Sequence, residues 1–174
     1  VAPTSWTLLV AGVLLVLLLV WVTFTLTRLR RLESRVTRAW DVLDVALARR
    51  ADLLAAVGRE RSAELGPDRG AALTGAVEVS RRPPGGDREA AENALGRVLR
   101  ELPGSLRGPE LDDAGWRVGL ARRFYNDAVR DTRALRRRPL ARVLRLPGRR
   151  PLPRFFDIDD GLDAVVGAGR SEGR

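Results

Sequence analysis

From Trp6 to Leu26 the chain reads WTLLVAGVLLVLLLVWVTFTL, one apolar run, and no charged side chain precedes Arg28. At about 1.5 Å of helical rise per residue, this run matches a bilayer hydrocarbon layer of roughly 30 Å. Trp6, Leu8, Leu14, Leu17, Trp21 and Phe24 are its candidate lipid-facing side chains, with Trp6 and Trp21 toward the two ends, where an indole can keep its N–H near headgroups. No basic region precedes the run and no small-x-small cleavage site follows it before Arg28, so it reads as a retained span.

Beyond Arg28 the pattern changes to steps of three and four. Leu29, Leu32, Val36, Trp40, Leu43, Leu47, Leu54 and Val57 share one helix face, and neither Pro nor Gly interrupts residues 27–57. The first helix is predicted to run on from the span and end near Gly66-Pro67. A second covers Asp68 to Arg81, with Ala72, Leu73, Ala76 and Val77 inward, and Pro83-Pro84-Gly85-Gly86 stops it. Asp87 is the expected N-cap of a third, whose stripe is Ala91, Leu95, Val98 and Leu102. The fourth opens near Pro109 and runs to about Arg138 with Leu111, Ala114, Val118, Ala121, Tyr125, Ala128, Thr132 and Leu135 at bundle spacing. The fold class expected is all-α: an N-terminal transmembrane helix followed by an antiparallel up-down four-helix bundle with long helices. The segments are 1–27 as anchor, 28–138 as bundle, 139–160 as a basic amphipathic juxtamembrane stretch and 161–174 as a disordered tail.

Charge sets the orientation. No basic residue lies in 1–5, whereas Arg28, Arg30, Arg31, Arg35 and Arg38 follow the span against the single acid Glu33. Basic flanks stay on the cytoplasmic side, so the chain is expected to cross the plasma membrane once, its N-terminus outside and its main domain cytoplasmic. The net charge of +9 has one source. Between Thr132 and Phe156 nine arginines occur and no acid, and elsewhere arginines and acids are equal in number. Arg136, Arg137, Arg138, Arg142, Arg145, Arg149 and Arg150, interleaved with Leu140, Val143, Leu144 and Leu146, are candidate contacts to anionic lipid headgroups. No recognised nucleic-acid module accompanies them, and no nucleic acid is expected as a partner.

Two stretches carry a resemblance. Ala39 to Leu53 (AWDVLDVALARRADL), Ala121 to Val129 (ARRFYNDAV) and the later pair Phe155-Phe156 resemble the bacterial LemA family, in outline over residues 6–157. The resemblance implies a single-span membrane protein with a cytoplasmic antiparallel helical bundle, and very little about biochemical activity. The chain departs from the family pattern at Ala55-Ala56, where a Pro-Asn pair is usual, and at Leu102 to Leu106, where a Tyr-Pro-x-Leu-Lys type of turn is common.

Catalysis is limited by what is missing. Without His, Cys or Lys there is no imidazole base, thiolate or Schiff-base amine, and the usual zinc ligands are absent. Asp157, Asp159 and Asp160 lack the loop of a calcium site, and Asp41 and Asp44 lack the His that a bundle carboxylate site employs. The chain is read as non-enzymatic, with no catalytic residue, cofactor or metal. The bundle core and its register are assigned to Trp40, Leu43, Leu47, Arg50, Leu54, Ala121, Tyr125, Ala128 and Asp127. Arg50 falls either in the apolar stripe, with Asp127 or Asp131 as partner, or on its flank if the stripe passes through Ala51. Two function classes stay open: a scaffold or interaction module at the membrane surface with an unidentified protein partner or a second copy of itself, and an accessory or regulatory subunit whose bundle binds a small ligand or a membrane enzyme. A pocket lined by Trp40, Trp116 and Phe124 favours the second.

Overall fold

A computed structural model describes residues 3–137 and 151–159. Arg138, Arg142, Arg145, Arg149 and Arg150, and the tail 161–174, lie outside the described residues. Those described are all-helical, with no strand: α1 (Pro3–Glu60), α2 (Ser62–Arg81), α3 (Arg88–Glu101) and α4 (Pro109–Arg136), with 3₁₀ turns at Pro84–Gly86 and Gly104–Leu106. The described residues divide into two compact units, one from 3–38, 127–137 and 151–154, the other from 39–126 and 155–159.

In the first unit, the N-terminal part of α1 is apolar enough and long enough to cross a membrane. Its large side chains up to Val20 are exposed, Trp6 at 66% and Leu8 at 74%, as is Phe24, whereas Trp21 is half-buried. Hydroxyls near its end are satisfied internally: Thr23 donates to the Leu19 carbonyl at 2.9 Å and Thr27 to that of Thr23 at 2.8 Å. Such back-bonding lets a hydroxyl sit in apolar surroundings without an unmet donor. Leu29, Ala128, Val129, Thr132 and Leu135 are buried in this unit. Arg136 is buried as well, paired with Glu33 and donating to the Pro151 carbonyl. This corrects its expected place at a lipid surface: an internal anion and a carbonyl claim its guanidinium. Arg137 is exposed.

The second unit holds a core of Ala51, Leu54, Leu65, Leu73, Val77, Leu95, Leu102, Leu106 and Leu111. Leu43, Leu47, Val118 and Ala121 are also buried there. The first helix stops earlier than Gly66-Pro67. It ends at Glu60, where Arg61 leaves helical geometry and its guanidinium forks onto the Glu64 carboxylate. Gly66 then kinks α2 with φ +72°, a backbone region that costs glycine little, and Pro67 restarts the helix with its fixed φ. The breaker residues were legible, but the turn spreads over Arg61 to Gly66. In α2, Ala72 is exposed rather than inward, and Ser80 extends the buried row of Leu73 and Val77.

The third helix begins as its sequence dictates, with the Asp87 carboxylate accepting the Ala90 N–H at 3.0 Å. Its end is closed by Arg107, whose Nε and Nη2 donate to the Leu102 carbonyl and whose Nη2 also reaches that of Arg100. A cation on carbonyls that have no intrahelical partner offsets the negative end of the helix dipole.

Candidate functional site

A polar cluster lies inside the second unit. Arg50 and Glu92 are 3% and 1% exposed, and Arg50 Nη2 meets Glu92 Oε2 at 2.8 Å. The other carboxylate oxygen accepts from Ser80 Oγ at 2.8 Å and from Arg88 Nε at 3.0 Å, and Arg88 Nη2 reaches on to Asp44 at 3.1 Å. Arg50 thus points inward, and Ala51 is buried beside it. Its partner is neither Asp127 nor Asp131. Asp127 is exposed and pairs with Arg130, while Asp131 pairs with Arg35 at 3.0 Å. The sequence carries a signal for this pairing: Glu92 stands beside Ala91 and Leu95 in an apolar stripe, where a buried acid needs a cation.

Residues 155–159 run in extended form along the helices of the second unit. The Phe156 N–H donates to Asn126 Oδ1 and the Phe156 carbonyl accepts from Asn126 Nδ2, both at 2.9 Å. The Asp157 N–H donates to Glu89 at 2.8 Å and the Asp159 N–H to Asn93 at 2.9 Å. Alternate side chains Phe156 and Ile158 are buried. Phe156 meets the Trp40 ring edge-on at a centroid distance of 5.5 Å, and Tyr125 meets it from another side at 5.3 Å. Phe156 is therefore a core residue, not the apolar end of a surface segment. Asn126, Glu89 and Asn93 escaped sequence reading because side chains that satisfy an extended backbone leave no periodic trace.

Tyr125 is the only tyrosine. Burial first, and the charge of Glu89 second, push its phenol above the ordinary range. Its proton is held more tightly in the folded state, so this contribution to stability is complete below the ordinary tyrosine pKa and is lost as pH rises through the elevated one. Ultraviolet difference absorbance on the folded chain should show phenolate appearing at higher pH than in denaturant. Coincident titrations would mean that the ring is open to solvent.

On the outside of the same unit an open groove is walled by Val42, Val45 and Leu53 of α1 and by Trp116, Leu120 and Phe124 of α4. Val42 and Val45 are 62% and 69% exposed, Trp116 and Phe124 54% and 57%. Trp40 is not among its lining residues. Among the described residues, no group of three or more Asp and Glu side chains is placed to hold a metal ion. No polar constellation opens into the groove beyond Arg49, Arg117, Glu110 and Asp113 at its rim, and a shallow apolar channel of this kind suits contact with another macromolecule better than bond-making. No protein family, curated protein or solved structure gives a match to this chain.

Proposed function

We propose that the chain is a single-span membrane protein of LemA type whose helical domain acts without catalysis as a scaffold or interaction module at the cytoplasmic membrane surface. The observation that carries this reading is the pairing of two apolar exposures in one chain: a helix apolar enough to span a bilayer and, on a separate folded unit, a groove with two large aromatic side chains uncovered. Water does not tolerate the first as an idle surface, and the second is of the kind that often serves contact.

An antiparallel bundle is part of the proposal. It is supported where Trp40 meets Tyr125 and where Leu54 and Leu111 share one core cluster, since residue numbers rise along α1 as they fall along α4. Contact with anionic headgroups is proposed for Arg137 and for the arginines at 138, 142, 145, 149 and 150, with Arg136 left out because Glu33 and Pro151 engage it. The alternative, a small-ligand site among Trp40, Trp116 and Phe124, is less well supported, because only two of these line the groove and the groove is open.

Topology tests the reading. A reporter active only in the cytoplasm, placed after Arg174, should be active, and the chain should stay in the membrane pellet through alkaline extraction. Activity from an exclusively external reporter, or release of the chain into the supernatant, would sink the proposal.

A further inference from the structure

Residues 155–159 lie on their unit as a bound peptide lies on a receptor. Exposure alternates with a period of two: Phe156 and Ile158 are buried, whereas Phe155, Asp157 and Asp159 are exposed. The backbone is held by side chains. Asn126 of α4 takes both the N–H and the carbonyl of residue 156, while Glu89 and Asn93, four apart on α3, accept the N–H groups of residues 157 and 159. No strand forms among the described residues, so no backbone ladder fixes the segment. Side chains that read an extended backbone tolerate any residue at the outward positions, and specificity falls to the inward pair. One inward place is aromatic, where the ring of Phe156 meets Trp40 edge-on, and the other holds the branched aliphatic Ile158. At the far end Arg100 reaches the Asp159 carboxylate at 3.3 Å, and Arg97 lines the same open recess.

We propose that this seat on α1, α3 and α4 is a recognition site for an extended peptide carrying an aromatic residue, an aliphatic residue two positions on and an acid after it, and that residues 155–159 are its resident ligand, displaced by a partner segment of that pattern. This gives the interaction module proposed above a partner chemistry. It rests on the folded unit alone and not on the membrane anchorage, because seat and segment belong to one unit. Two apolar side chains and four hydrogen bonds from side chains work against the entropy of ordering five residues, so the segment opens at lower cost than the helices beneath it unfold. The groups that read the backbone stand on helices rather than loops, which keeps the opened seat in shape for an incoming chain.

The probe is a dye-labelled peptide of residues 154–160, RFFDIDD, titrated by fluorescence anisotropy into the full-length chain in detergent micelles. The Phe156→Ala chain, whose own segment has lost its inward ring, should bind it with an apparent Kd roughly tenfold or more below that of the unaltered chain, where the resident segment competes at an effective concentration on the order of millimolar. Selectivity carries the test. In the peptide, Phe156→Ala abolishes binding, whereas Phe155→Ala, one position away and outward, leaves it within about twofold. Asp159→Lys in the peptide weakens it roughly threefold at low salt. Apolar adhesion to chain or micelle would respond alike to both phenylalanines. Equal sensitivity to the two, or no saturable binding by a Phe156→Ala chain of unaltered helicity, overturns the proposal. Should that chain lose helicity by circular dichroism, the unaltered chain decides: millimolar peptide speeds deuterium exchange at the amides of Phe156, Asp157 and Asp159 if the resident segment is displaced, and unchanged exchange overturns the site. None of these readouts depends on where the chain resides, so a chain found to be soluble would remove the anchorage and leave the peptide site standing.

Discussion

Replacing Glu92 by alanine is expected to destabilise the folded helical domain by about 3–5 kcal/mol, the usual cost of removing one partner from a buried ion pair. The reason is what remains behind. Arg50, 3% exposed, keeps a full charge with no anion, Ser80 Oγ loses its acceptor, and Arg88 keeps only the exposed side of its contacts, at Asp44. Neither Asp127 nor Asp131 stands in for it, since both are engaged elsewhere. Among the described residues the Nε of Arg50 has no hydrogen-bond partner, so the site has no slack to absorb a second loss. Replacing both Arg50 and Glu92 by leucine should be far milder, near neutral or stabilising by roughly 1–4 kcal/mol, because desolvation of both charges is then avoided. Guanidinium unfolding of the full-length chain in detergent micelles, followed by circular dichroism, measures both. A cost for Glu92→Ala of only ~0.5 kcal/mol, the scale of an ordinary surface change, would show that water reaches the cluster.

Phe156→Ala should cost about 3–5 kcal/mol, as deletion of a buried aromatic ring does elsewhere. The ring is 3% exposed and packs edge-on against Trp40, so its loss leaves a void beside the indole, with only the Tyr125 ring of the two still in contact with it. The effect spreads along the backbone. Once the ring is gone, the apolar gain that holds residues 155–159 rests on Ile158, and the N–H groups of Phe156, Asp157 and Asp159 should all exchange faster with solvent deuterium. Unchanged protection at these three amides would mean that Asn126, Glu89 and Asn93 hold the segment unaided. Asn126→Ala separates the contributions, since it removes both bonds to residue 156 and leaves the ring in place.

The row Leu111 to Leu135 on α4 was legible in full, all eight positions being buried, because a long helix with unbroken 3-4 spacing has one way to present its apolar face. The Asp87 cap was equally readable, since a cap is a local transaction between a side chain and an N–H three residues on. Arg50 marks the limit. Periodicity placed Arg50 in the stripe or on its flank, yet its partner lies 42 residues away on α3, and one helix's pattern says nothing about which neighbour faces it. The exposed row of Val42, Val45, Trp116 and Phe124 was harder still. Large apolar residues are usually covered, and from spacing alone an exposed apolar row looks like more core.

The extended segment 155–159 has a consequence for how the protein is made. Asn126 must wait for Phe156, 30 residues further along the chain. At ordinary elongation rates of about 5–20 residues per second, that gap lasts roughly 2–6 seconds on the ribosome. Through that interval Trp40 and Tyr125 have been synthesised without the ring that completes their packing, and the side-chain amide of Asn126 has only water to bond. The aromatic packing around Trp40 is therefore among the last parts of the core to close.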